Sequence, residues 1–161
     1  MAIPAWLPIG LATVAIAGLI NALSSKAELR WFYRLKRPHW LTFEWLIPFI
    51  WMSIFICSGW SAYHAWTKGG SGERWWLMAA YALLEVLILL YTPVMCKFRS
   101  LKVGTAIGGI GFLWGFVLAV LVAPVSSWAV GLLLPYLLWS PVGTFVTWKM
   151  IPLNLESVAT E

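Results

Sequence analysis

The chain has 161 residues, 61% hydrophobic and 11% charged, with a mean hydropathy of +0.83. Soluble domains run at roughly 45–50% apolar and about 25% charged, so a soluble enzyme domain and a disordered chain are both excluded. The net charge of +5 comes from cations set between apolar runs, which points to membrane orientation and away from nucleic acid. Cys57 and Cys96 both lie inside apolar stretches, so a disulfide framework has no support.

Five apolar stretches, at about 7–23, 45–66, 75–95, 103–123 and 128–151, are long enough to cross a bilayer, which takes roughly 20 residues at about 1.5 Å each. The expected fold is an all-α integral membrane protein, one domain over 1–161 built as a bundle of five transmembrane helices. The first stretch lacks a basic segment before it and Asn21-Ala22-Leu23-Ser24 is a poor cleavage site, so it reads as a helix rather than a signal peptide. A long loop follows at about 25–44, carrying Lys26, Arg30, Arg34, Lys36 and Arg37 among aromatic residues, with Pro38 ending any local helix. A connection of that length in a minimal bundle is usually functional.

Within the spans, Pro48, Pro93, Pro135 and Pro141 are expected to kink their helices and open space between them. Trp6, Trp45, Trp66, Trp75, Trp76, Trp128 and Trp148 sit near helix ends and read as an interfacial belt. Trp51, Trp60, Trp114 and Trp139 lie deeper, where an indole N–H needs an acceptor, so they are expected to face the bundle or a cavity. Gly104-x-x-x-Gly108 and Gly111-x-x-x-Gly115 in the fourth span read as close packing inside the bundle rather than a dimer face. Leu153 to Glu161 reads as a short polar tail. Nine Lys and Arg fall on the side of the long loop and the C-terminus, against two (Lys68 and Arg74) on the other. The positive-inside rule then puts loop and C-terminus in the cytoplasm and the N-terminus outside.

The run Trp31-Phe32-Tyr33-Arg34-Leu35-Lys36-Arg37-Pro38-His39-Trp40, followed by Trp45, Trp51 and Phe55, resembles the TspO/MBR family of tryptophan-rich sensory and translocator proteins. The shared pattern is an aromatic pair, Leu, a basic residue before Pro, and spaced aromatics running into the second helix. Pro135-Tyr136-Leu137-Leu138-Trp139 matches the family's Pro-Tyr-Leu-Leu-Trp, and Thr144 falls on its Thr. The chain departs from the pattern at Thr42-Phe43, where the family has Pro-Pro, and at Thr147, where it has Asn. In the third span, Ile88 and Tyr91 stand at the Asn and Trp of its Asn-x-x-Trp.

The resemblance implies a five-helix bundle whose pocket opens under the long loop and binds tetrapyrroles such as haem and protoporphyrin. It assigns Phe32, Trp51, Phe55, Ile88, Tyr91, Trp139 and Gly143 to that pocket. It also marks Trp51 and Trp139 as the pair to which light-dependent porphyrin breakdown would fall; no other catalytic residue is assigned. No cofactor is required, and a porphyrin or haem is the implied bound molecule. Physically, a flat apolar macrocycle suits aromatic walls, and its carboxylates suit Arg34, Lys36 and Arg37 on the lid. Alternatively, those cations only set topology and touch lipid phosphates.

Glu85 stands apart from the family pattern, near the middle of the third span, where an ionised carboxylate costs about 2.5–3.5 kcal/mol or more. Its spacing to Ile88 and Thr92 puts it on the helix face of the pocket positions. It is a ligand contact compensating for the lost Asn, a docking point for a partner, or a protonated acid bonded to a neighbouring helix. His39 and His64 have no partner at a metal-ligand spacing, so no metal site is expected. The expected function is binding, with transport or sensing, of an apolar planar ligand such as a tetrapyrrole. The alternative is a divergent membrane scaffold that docks a partner complex. Expected partners are lipid and a hydrophobic small molecule, with a homodimer or a membrane protein partner left open, and no nucleic acid.

Overall fold

In a bilayer each backbone N–H and C=O must be satisfied within the chain, and apolar runs of this length achieve that as helices. The structure, a computed structural model, describes residues 6–22 and 26–154; residues 155–161 of the expected tail and Leu23-Ser24 of the weak cleavage motif lie outside them. The helices are α1 (Trp6–Ala22), α2 (Lys26–Arg34), α3 (Ile47–Lys68), α4 (Glu73–Lys97), α5 (Leu101–Val122) and α6 (Ser127–Leu153), with one 3₁₀ turn, Glu44–Leu46, leading into α3. No strand occurs among the described residues. Glu44–Lys68, Glu73–Lys97, Leu101–Val122 and Ser127–Leu153 are long and apolar enough to cross a membrane, and α1 is a shorter apolar helix of 17 residues. The protein is a multi-pass integral membrane protein. The ends of the long helices fall within two residues of the expected spans. The long loop, however, is not all loop: α2 occupies its first half, and its helix stops at Arg34, before Pro38.

α6 packs against α5 and α3, α5 against α4, and α1 against α4 and α3, so the five long helices close a ring. α3 and α4 also touch each other across it. That cross-contact divides the ring into a triangle of α1, α3 and α4 and a four-sided space between α3, α4, α5 and α6. Around these spaces lie two buried clusters. One includes Ile54, Leu77, Leu84, Leu118 and Leu133, and the other, beside the long loop, includes Leu35, Leu41, Met95, Leu101 and Met150. In the first cluster Ser61 Oγ donates to the Ala129 carbonyl at 2.7 Å. Its single proton is thereby used, so the Tyr81 hydroxyl, 2.5 Å away, is the donor to Ser61. Three helices are tied at one point.

The glycines of the α5 stripe, Gly104, Gly108, Gly111 and Gly115, pack inward, while Gly109 meets open space. A Cβ at Gly104 would collide with Met95, at Gly108 with Thr144 and Tyr91, and at Gly115 with the Tyr136 ring, so the stripe lets α5 approach its neighbours closely. Ser100 and Ser126 cap α5 and α6, accepting from Val103 and Ala129 N–H at 3.4 and 3.3 Å. Two expectations need correction. Pro48 lies in the first turn of α3, where its missing N–H removes no helix bond, so it does not kink the span. Trp60 is 59% exposed and points away from the bundle. Trp114 behaves as expected of a deep indole, donating to the Ala80 carbonyl at 3.0 Å.

Candidate functional site

Three helices each send an aromatic or aliphatic pair inward at helical spacing. Trp51 and Phe55 lie one turn apart on α3, as do Ile88 and Tyr91 on α4 and Trp139 and Gly143 on α6. All six residues, with Phe32 of α2, line one cavity of about 480 Å³ in the four-sided space. That is within the range of about 300–1,000 Å³ for small-molecule sites. The Trp51 and Phe55 rings lie 6.2 Å apart, tilted by 37°, and Phe43 of the loop meets Trp139 edge-on at 6.4 Å.

The departures at Tyr91 and Thr147 meet in the cavity wall. The Thr147 hydroxyl donates to the Gly143 carbonyl at 3.1 Å, so the Tyr91 hydroxyl is the donor in the hydrogen bond between the two side chains. Two positions that differ separately from the family pattern thus satisfy each other across α4 and α6. Thr144 is likewise turned onto its own helix, donating to the Ser140 carbonyl at 2.8 Å. Thr42 is exposed in the loop.

Of the three lid cations, Arg37 alone is on the cavity wall; Arg34 and Lys36 are not. Arg37 Nε pairs with Glu44 Oε1 at 2.9 Å, and its guanidinium lies 4.9 Å from the centre of the Phe32 ring. Arg34 is exposed at the end of α2. Lys36 contributes its backbone. Its N–H donates to Asn154 Oδ1 at 2.8 Å, while Asn154 Nδ2 donates to the Lys36 and Met150 carbonyls at 3.0 and 2.8 Å. Asn154, 5% exposed, therefore fastens the loop to the end of α6 and is not part of a polar tail. An amide placed just past an apolar helix was the available signal, since Asn often terminates helices.

Glu85 does not join this cavity. It faces the triangle of α1, α3 and α4, where a second cavity of about 340 Å³ lies, and its Oε2 accepts from the Thr13 hydroxyl of α1 at 3.4 Å. The six residues of helix from Glu85 to Tyr91 turn the chain to about 120° from full register. At the α3–α4 contact that angle is enough to separate Glu85 from Tyr91. Phe55 and Ile88 line both cavities and form the partition between them.

The profile of the TspO/MBR family matches residues 9–153. The chain is similar to the tryptophan-rich sensory protein of Cereibacter sphaeroides, 29% identical over 126 residues that make up 77% of each chain. It is also similar to translocator protein 2 of Mus musculus, 29% identical over 143 residues, covering 87% of this chain and 85% of that one. Protein CrtK of Rhodobacter capsulatus is 28% identical over 144 residues, 86% and 88% of the two chains. The family match runs from the first helix to the last and takes in the walls of the larger cavity; this chain belongs to the TspO/MBR family.

Proposed function

We propose that the protein binds an apolar, planar ligand of the tetrapyrrole type in the larger cavity, as a step in transport or sensing across its membrane. The observation that carries this reading is the placing of Trp51 and Trp139, from separate helices, on one cavity with Phe32, Phe55 and Tyr91. Aromatic faces around a space of this volume favour stacking on a polarizable macrocycle. Arg37 at the loop side can exchange Glu44 for a ligand carboxylate, a charge-assisted contact of the same kind. Related proteins carry the names sensory and translocator, in keeping with either role. If light-dependent porphyrin chemistry occurs, Trp51 and Trp139 are the indoles that would meet the ligand.

In this reading α1 is a fifth span. Its 17 residues extend about 26 Å, close to the hydrocarbon thickness of about 30 Å. The long loop and C-terminus are cytoplasmic and the N-terminus is outside. The binding test is titration of the purified full-length protein with protoporphyrin, read by tryptophan fluorescence. Saturable quenching at low micromolar ligand is expected, and a flat response would move the protein to the scaffold reading. For orientation, a tag fused after Glu161 should resist protease added outside intact cells; cleavage there would reverse the topology.

A further inference from the structure

The triangle between α1, α3 and α4 has chemistry that the larger cavity lacks. Its walls are apolar, including Ile9, Ile16 and Met78, with Trp66 and Trp75 also on its lining. Besides those two indoles, four residues bring polar groups to it: Thr13, Ser58, Tyr81 and Glu85. The Tyr81 hydroxyl is taken up by Ser61, and the Thr13 proton by Glu85 Oε2. Glu85 Oε1 and Ser58 Oγ are buried and have no hydrogen-bond partner among the described residues. The site therefore holds two unmet hydrogen-bonding groups, a carboxyl oxygen and a hydroxyl.

Position makes these unmet groups costly. Glu85 is twelve residues from each end of α4, which is about 18 Å along the axis, beyond the reach of lipid headgroups. A buried polar atom left unpaired costs about 1–3 kcal/mol, more for a charged group. Whatever satisfies Glu85 Oε1 must be a polar group that enters hydrocarbon readily. An amine fits. As the free base it partitions into lipid, and amine and carboxyl together hold one proton, so no net charge is brought into the span. The resulting hydrogen bond is charge-assisted, about twice as strong as a neutral one. Trp66 and Trp75, edge-on at 5.1 Å, add aromatic surface to the lining, and Arg74 sits 5.7 Å from the Trp66 ring.

We propose that the smaller cavity is a second ligand site, separate from the tetrapyrrole site, for a compact hydrophobic amine held by Glu85 Oε1 and Ser58 Oγ. Its volume of about 340 Å³ is at the low end of the range of about 300–1,000 Å³ for small-molecule sites, room for one compact molecule.

The test uses the full-length protein in lipid nanodiscs and tritium-labelled adamantylamine. Saturable binding is expected, displaced about tenfold less well by adamantanol, which matches the shape without the charge. Glu85→Gln should weaken binding by about tenfold or more. Gly59 lines this cavity and not the larger one, and an added Cβ there meets nothing within 4 Å. Gly59→Leu should therefore fill the site and abolish amine binding, while protoporphyrin binding stays within about twofold in both variants. Three results overturn the proposal: no saturable binding to wild-type protein that elutes as one species, equal binding by wild type and Glu85→Gln, or equal displacement by the alcohol.

Discussion

The larger cavity and the smaller one share Phe55 and Ile88 as a common wall, yet they treat their polar groups in opposite ways. In the larger, Tyr91 is bonded to Thr147, Thr144 to the Ser140 carbonyl and Arg37 to Glu44. What remains to meet a ligand is aromatic surface. In the smaller, Glu85 Oε1 and Ser58 Oγ are left without partners among the described residues. Under the proposed function, one space selects by shape and stacking, which tolerate many flat apolar molecules. The other, in the second site proposed above, selects by a single functional group, because a ligand without a polar group leaves the carboxyl unpaired. The same bundle of five long helices can hold both kinds of recognition because the α3–α4 contact separates them.

The comparison is broken most directly by exchanging ligands and variants. Trp51→Ala and Trp139→Ala should each weaken protoporphyrin binding by about tenfold or more, since a buried aromatic face contributes about 1.5–3 kcal/mol. Neither should alter adamantylamine binding. Titrating both ligands against both variants decides the matter; loss of both ligands from one variant would mean that the two cavities act as a single site.

A somewhat smaller effect is expected at the loop. Asn154→Leu removes three hydrogen bonds between α6 and the Lys36 backbone or its own helix; because one side chain makes all three, together they contribute less than three separate bonds of about 0.5–1.5 kcal/mol each. Thermal unfolding in detergent should show a loss of stability of about 1–3 kcal/mol, and the Lys36 amide should exchange faster with solvent. Because the loop borders the larger cavity alone, protoporphyrin should dissociate faster while the amine is unaffected. Unchanged exchange at Lys36 would show that the loop is held by other contacts.

The smallest effect is expected at Arg37. Its ion pair with Glu44 is partly exposed, with side chains 24% and 40% accessible, and such pairs contribute about 0.2–1 kcal/mol. Arg37→Gln should therefore lower affinity for free-acid protoporphyrin severalfold at most and leave its dimethyl ester unchanged. Arg34→Gln and Lys36→Gln should do neither, because those side chains are off the cavity wall. Equal losses for acid and ester at Arg37 would mean that the guanidinium supports the Phe32 ring and does not read the carboxylates.

Much of the fold was legible because the bilayer demands long, continuous apolar runs. The close packing of α5 was legible too, since only small residues at that spacing let helices approach. The inward meeting of Trp51 and Trp139 was readable through motifs at the right separation in the chain. The misjudged helix faces have one physical source. Lipid is as apolar as the bundle interior, so hydrophobicity does not distinguish the two faces of a spanning helix. Trp60 and Trp114 are both deep tryptophans, yet one is exposed on the outer face and the other donates to Ala80. Asn154 was hidden for a different reason: its partner Lys36 is 118 residues away in the chain, and no local pattern announces such a pairing.

Sequence by itself determined the helical class, the span boundaries, the excess of cations on one side and the family. Each of these depends on composition over a window or on residues close together in the chain. Tertiary structure alone decided which way each polar group in the spans points. Glu85 and Tyr91 lie six positions apart on one helix, but α3 crosses α4 between them, and the line of contact through Phe55 and Ile88 sends one into each cavity. A contact between two helices has no representation in either helix's own periodicity. The division of this bundle into an aromatic chamber and a carboxyl-bearing one therefore arises only when the helices are brought together.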